Sequence, residues 1–457
     1  MRDKTFVDEA LHYLQEKNAY AASLEPEPKK LLWIIFATSI VFSTVTVFTE
    51  FLTAEDASVL FNRFNGISDA TVLFYYQGYI SFHPQLLAWS FSALPAVLQP
   101  LMYASVAAVI WLLLIAIAHR CWNAAIAVGL LGLYFFRYDP IYFANLTYTI
   151  WPSILILALI GGGAVLNERP LPWRIFCIAL ILCFASPLSI CAVPVLAVSA
   201  FMRRDAKLIV LTAATIFAFF ILRESGDQAR GGTMSTMATN LLTNLPVFFS
   251  SITNGRGLSG LNLPSVVRLG SLVLSMAAAI YYIPSFIEYM RNKSTSRKEN
   301  AAIFLLAIFA LATLIAFAAS KQGDAFIRGG TRYYFPAIAC SALILFHILR
   351  QMKLERLLIV TGMTVLLPLA LLTLVQSVPA IGRGAEMWKQ VASSPRADIS
   401  KIDVGEGIKE DLIYVGPPVF QMADCTEKSP PFSNLIIFCG HQSWIFPREA
   451  LQRKRTP

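Results

Sequence analysis

Long apolar runs separated by short charged segments dominate the chain. Clear runs fall at Leu31–Thr49, Pro100–Ala118, Ala124–Phe136, Thr149–Leu166, Leu208–Leu222, Pro264–Phe286, Ala301–Ala319, Phe335–Leu349 and Leu357–Val378. A run of about 20 apolar residues crosses the hydrocarbon core as a helix, because a helix satisfies its own backbone groups where no water can. The pattern therefore predicts an all-α polytopic membrane protein. The run near Ala124 is short for a crossing and predicts little tilt or local bilayer thinning.

One apolar stretch does not read as a single span. Trp173–Phe201 contains Ser186-Pro187 and Val193-Pro194, and basic residues flank it on both sides: Arg169 and Arg174 before, Arg203, Arg204 and Lys207 after. A single crossing would place one of these clusters outside. A re-entrant pair of half-helices turning near Ser186-Pro187 keeps both inside, and broken helices are tolerated where protein surrounds them.

With that hairpin the positive-inside rule orders the whole chain. Lys29/Lys30, His119/Arg120, Arg169/Arg174, Arg203/Arg204/Lys207, Arg291–Lys298 and Arg350/Lys353/Arg356 fall on the cytoplasmic side. The external side receives residues 50–98, 137–148, 223–263, 320–334 and the tail after about Pro379. The expected organisation is a cytoplasmic N-terminal segment (1–30), a multi-span domain (31–378) and a small external C-terminal segment (379–457). Phe6, Val7, Ala10, Leu11 and Leu14 have helical spacing and predict a short amphipathic helix over Asp3–Lys17. The first thirty residues are polar, with no signal-peptide core, so the first span is expected to serve as its own insertion signal. No internal repeat of the kind that builds many transporters is visible.

Composition agrees with this reading. The chain has 457 residues, 56% hydrophobic and 14% charged, with mean hydropathy +0.60, against about 25% charge in soluble domains. The net charge of +9 sits in clusters at span ends, where it marks loops and meets anionic headgroups, so nucleic acid is not an expected partner. Five cysteines (Cys121, Cys177, Cys183, Cys191, Cys340) lie in or beside apolar runs and read as small hydrophobes. Cys425 and Cys439 lie in the polar tail, and an oxidising compartment there predicts a disulfide between them. No metal-ligand spacing is present, and neither metal nor cofactor is expected.

Candidate chemistry lies in the external loops, since the spans are nearly free of ionisable groups. Glu55 and Asp56 follow the first span. A carboxylate there can take a proton from an acceptor hydroxyl, while its neighbour orients the acceptor or tunes the first by like-charge repulsion; an interfacial loop with ordinary solvated acids is the plainer alternative. Later in the same loop comes Gly78-Tyr79-Ile80-Ser81-Phe82-His83-Pro84-Gln85, which reads as an aromatic turn before an interfacial stretch over Leu86–Leu98. His83 could hydrogen-bond a sugar or phosphate; a structural histidine is the plainer alternative. Arg328-Gly329-Gly330-Thr331-Arg332-Tyr333 opens a late span, with two arginines on the face the positive-inside rule disfavours. A guanidinium fork and glycine-exposed N–H groups suit a phosphate; interfacial anchoring is the plainer alternative. Asp139 is a further external acid. No GxGxxG, P-loop or GxSxG pattern occurs, which leaves ATP-driven transport and serine-hydrolase chemistry without support.

These features together resemble the GT-C superfamily of integral-membrane glycosyltransferases, particularly bacterial members with a Glu-Asp pair after the first helix. The resemblance rests on Glu55-Asp56 in a long first loop, Gly78-Tyr79 before an interfacial helix, Pro-broken helices mid-chain, and Arg332-Tyr333 at a late span. It implies a GT-C-like bundle in a bacterial inner membrane and a polyprenyl-phosphate sugar donor used on the external face. The acceptor would be a glycan, lipid or protein. It also implies Asp56 as catalytic base, Glu55 beside it and Arg332 on the lipid phosphate, with Arg328, Tyr333, Tyr79, His83 and Asp139 as further substrate contacts. Competing functions are a lipid-linked glycan flippase or other transporter, a glycan polymerase, and a structural subunit of an envelope complex. A transporter should carry ionisable groups at mid-membrane, which these spans lack.

Overall fold

A computed structural model describes residues 79–94, 98–122, 146–167, 170–223, 263–292, 297–318 and 335–354, with residues 12, 13, 15, 16, 60, 64, 72–74, 239, 356, 360, 364, 434–439 and 442–447. Its body is built of helices: α1 (Phe82–Phe91), α2 (Gln99–Cys121), α3 (Ile150–Leu166), α4 (Trp173–Cys183), α5 (Val193–Arg203), α6 (Ala206–Leu222), α7 (Leu263–Asn292), α8 (Lys298–Ala318) and α9 (Phe335–Gln351). In the C-terminal segment, β1 (Asn434–Cys439) and β2 (Gln442–Pro447) pair antiparallel.

Four helical segments are long and apolar enough to cross a membrane: Leu101–Cys121, Thr147–Leu166, Gly270–Asn292 and Lys298–Ala316. Each coincides with an apolar run read from the sequence. The chain is thus an α-helical membrane protein. The expected spans near Leu31, Ala124 and Leu357 lie largely outside the described residues, as does most of the expected N-terminal amphipathic helix.

Helix α3 is the axis. Its residues from Ile150 to Gly163 are all buried, and α2, α4, α5, α8 and α9 pack around it. Three consecutive glycines permit this. A Cβ at Gly161 would lie 2.8 Å from Val195 Cγ1 of α5, one at Gly162 would lie 2.7 Å from the Trp122 ring, and one at Gly163 would lie 2.5 Å from Cys121 Cβ. Close approach by small residues is how helices associate in lipid, where hydrophobicity does not separate inside from outside. The closely packed backbone also accepts hydrogen bonds: Ser199 Oγ donates to Gly161 O at 2.7 Å and Trp122 Nε1 to Leu159 O at 3.2 Å.

The stretch with two prolines forms a hairpin. α4 and α5 have 11 residues each, and a 3₁₀ turn over Pro187–Ala192 joins them, capped where Ser186 Oγ accepts from Leu188 N. The two ends of the hairpin are tied together. Asp205, the N-cap of α6, accepts from Lys207 N at 2.9 Å and from Leu171 N at 3.0 Å. The Lys207 ammonium donates back to Leu171 O. Arg204 closes α5 in the left-handed region (φ 51) with its N–H on Ala200 O, the conformation that ends many helices.

Helices α7, α8 and α9 form a second group joined by polar contacts. Ser341 Oγ donates to Ser271 O at 3.1 Å and lies 3.2 Å from Ser275 Oγ. Asn300 Oδ1 accepts from Gln351 Nε2 at 2.9 Å and lies 3.1 Å from His347 Nε2.

The bundle has two chemically different ends. Asn167 Nδ2 donates to Cys121 O, Leu171 meets Asp205 and Lys207, and Arg350 pairs with Glu299. These contacts gather Arg120, Arg174, Arg203, Arg204, Lys207, Arg297 and Arg350 at one end, the basic end. The opposite end is assembled by residues 72–74 and 79–85, the head of α3 and the C-terminus of α6.

Candidate functional site

At the end opposite the basic one, the chain before α1 is folded against two span termini. Ile80 N donates to Leu222 O at 2.8 Å, and Tyr79 and Arg223 form an isolated antiparallel bridge. Gln85 latches the preceding loop: its amide donates to Phe74 O at 2.9 Å and its carbonyl accepts from Phe74 N at 3.0 Å. The sequence had suggested a turn over Gly78–Gln85. The structure instead starts α1 at Phe82, with His83 and Pro84 in its first turn. Proline is compatible with that position, because the first N–H groups of a helix have no intrahelical acceptor.

The early start of α1 directs His83 inward, where it is 4% exposed. Its Nε2 lies 2.7 Å from Thr149 Oγ1, and that hydroxyl donates to Leu146 O at 2.6 Å. A carbonyl brings no proton, so the single hydroxyl proton is committed to Leu146. Nε2 must then be the donor to Thr149, which leaves the lone pair on Nδ1. Nδ1 has no hydrogen-bond partner among the described residues. Burial pulls the His83 pKa down to about 3, so the ring is neutral near pH 7 and offers Nδ1 as a pure acceptor. A buried acceptor left without a donor costs roughly 1–3 kcal/mol, so this atom is a candidate contact for a hydroxyl-bearing molecule.

An apolar cavity of about 410 Å³ adjoins this segment. Leu73, Ile80 and Phe82 line it from the loop and α1, Leu180, Ile181 and Phe184 from α4 and its C-terminus, and Ile221 and Leu222 from α6. The Phe82 and Phe184 rings are 6.0 Å apart, so the turn end of the hairpin lies against the segment that carries His83. A buried acceptor and an apolar slot are therefore supplied by one short stretch of chain.

Of the residues singled out in the sequence, Tyr79 and His83 belong to this assembly. Glu55, Asp56, Asp139, Arg328, Arg332 and Tyr333 lie outside the described residues, and so does Cys425. Cys439 ends β1 opposite Gln442. Sequence reasoning passed over Thr149, which fixes the His83 tautomer, and Ser153, whose hydroxyl donates to Thr149 O at 2.7 Å. Their signal was the hydroxyls at the head of an otherwise apolar run, which hydropathy averages away. Comparison with protein-family models, with curated proteins and with solved structures finds no match to this chain.

Proposed function

We propose that the protein is a GT-C-like membrane glycosyltransferase. It would transfer a sugar from a polyprenyl-phosphate donor to a glycan, lipid or protein acceptor on the external face of a bacterial inner membrane. The observation that carries this reading is the junction of the first long loop with the bundle, where the segment that buries the His83 acceptor also lines, through Ile80 and Phe82, a wholly apolar cavity at the end away from the basic clusters. A lipid-linked sugar asks for both: hydrogen bonds for hydroxyls and an apolar slot for a hydrocarbon chain. Most of the described basic residues lie at the other end, which supports a cytoplasmic position for that end and for both ends of the α4–α5 hairpin, and an external C-terminus.

In this reading the Asp56 carboxylate takes the proton of the acceptor hydroxyl as its oxygen bonds to the anomeric carbon. The bond from that carbon to the lipid phosphate breaks with inversion, and the phosphate leaves with the electron pair. Glu55 orients the acceptor, Arg332 with Arg328 holds the phosphate, and His83 Nδ1 accepts a substrate hydroxyl.

The test is an assay of the purified protein against a panel of polyprenyl-phosphate sugars. Asp56→Asn is expected to lower transfer about 10²–10⁴-fold with expression and donor binding retained, and Glu55→Gln to cost less. Arg332→Ala should weaken donor binding, with partial rescue by Arg332→Lys. Wild-type transfer by the Asp56→Asn, Glu55→Gln double variant would sink the mechanism. A reporter active only outside the cytoplasm, fused after Pro457, checks the orientation; silence in a well-expressed fusion reverses it.

A further inference from the structure

We propose that the base of the α4–α5 hairpin, at the basic end of the bundle, is a binding site for an anionic phospholipid headgroup. The proposal is independent of the glycosyltransferase reading. Two basic segments far apart in sequence meet there, because Asp205 and Lys207 both bond Leu171. The described residues of these segments contribute Arg174, Arg203, Arg204 and Lys207 against the single carboxylate of Asp205. Both oxygens of that carboxylate accept backbone N–H bonds.

Two other arginines at the same end are already paired. Arg297 pairs with Glu288 at 2.9 Å and Arg350 with Glu299 at 3.7 Å. Arg174 and Arg204 are exposed and have no ion-pair partner among the described residues. Their setting is preformed. Arg204 sits in the left-handed cap between Ala200 and Asp205. Lys207 is spent on the scaffold, its ammonium on Leu171 O and 4.5 Å from the Trp173 ring centroid.

Apolar surface adjoins the cations. Trp173 is 66% exposed and Phe201 73% exposed, on the two arms of the hairpin. Tryptophan is at home at headgroup depth, with acyl chains beside it. Guanidinium groups match phosphate oxygens in a fork. Charge, exposure and apolar flanks together fit an anionic phospholipid better than a soluble anion.

The experiment uses the full chain, delipidated in neutral detergent, and follows thermal unfolding on titration with cardiolipin, phosphatidylglycerol or phosphatidylcholine. Both anionic lipids are expected to raise the melting temperature, cardiolipin at the lower concentration, and phosphatidylcholine is not. The Arg174→Gln, Arg204→Gln double variant should melt like wild type without lipid and need about tenfold more anionic lipid for the same shift. The control pair Arg297→Gln, Arg350→Gln removes equal charge at the same end and should leave the lipid response unchanged. An unaltered response in the Arg174, Arg204 variant overturns the site. An equal loss in both pairs also overturns it, since the effect would then be the general field of the basic end. Equal shifts with phosphatidylcholine would remove the anionic requirement.

Discussion

Helices α3 and α7 each contain a segment apolar enough to cross a bilayer, yet 89% of that segment in α3 is buried within the protein and only 22% in α7. The α3 segment is the more apolar of the two, but hydropathy alone does not place a helix inside, because lipid tails are as apolar as leucine and supply no force that sorts one helix inward. The difference lies in how many neighbours the small residues admit. α3 carries Gly161, Gly162 and Gly163 against three different neighbours and receives hydrogen bonds on its backbone. α7 presents Val273, Met276, Ile280, Tyr281, Ile283 and Ile287 outward and keeps one narrow inner seam of Ser271, Ser275, Ala278, Tyr282 and Tyr289. In a bilayer, the inner helix is marked by what lets another backbone approach, and the outer helix by a single seam.

The comparison is broken most directly at its glycines. Gly163→Leu in α3 is expected to cost more than about 3 kcal/mol, because even its first carbon would lie 2.5 Å from Cys121 Cβ and 3.3 Å from Cys121 O. Gly270→Leu in α7 meets nothing within 4 Å at that first carbon and should melt near wild type. Size-exclusion profiles and thermal unfolding of the pair decide it, and similar losses in both would dissolve the contrast.

The head of α3 can be probed by pH. His83 titrates near 6.5 in the unfolded chain and near 3 when docked on Thr149. Between those values the unfolded state binds the proton first. Stability is therefore complete above about pH 6.5 and is lost as pH falls toward 3, by up to about 1.4 kcal/mol per pH unit. Between pH 6.5 and 5 the loss approaches roughly 2 kcal/mol. His83→Gln should flatten this dependence; an unchanged pH profile would argue against the burial.

Smaller effects test what encloses each helix. Asp205→Ala removes the cap of α6 and one tie of the hairpin that packs on α3, at a cost of about 1 kcal/mol, while Asp205→Asn should retain much of it. Ser341→Ala removes the hydroxyl between α9 and the seam of α7 and should cost about 0.6 kcal/mol. A loss at Ser341 larger than that at Asp205 would mean that α7 depends on polar contacts more than α3 does on its enclosure.

Helix positions and the grouping of basic residues were legible in the sequence because they depend on long apolar runs and local charge. The hairpin was legible for the same reason: Ser186-Pro187 and the flanking arginines are local signals. What was not legible depends on contacts between distant residues. The Cys121 neighbour of Gly163 and the Thr149 partner of His83 have no trace in any window of the chain. His83-Pro84 reads as a turn, since proline punctuates most sequences, but a proline in the first helical turn removes no helical bond. Tyr79 and His83 were found by their polar character at an interface; Thr149 shares that character but sits at the edge of an apolar run.

The hairpin also carries information about the order in which the protein is made. Its first arm has 11 residues and its second, with the 3₁₀ turn, runs Pro187–Arg203, so neither arm is as long as the four segments that can cross a membrane alone. Besides α3, which is made earlier and is bonded through Ser199, the groups that hold them come later from the ribosome: Asp205 and Lys207 tie the base, Thr215 Oγ1 reaches Cys183 Sγ at 3.2 Å, and Ala312 O lies 3.7 Å from Cys191 Sγ. The arms are synthesised before any of these later partners exists. In biogenesis, then, the arms meet α3 as soon as they are made, and their contacts to α6 and α8 follow only once those helices have been translated.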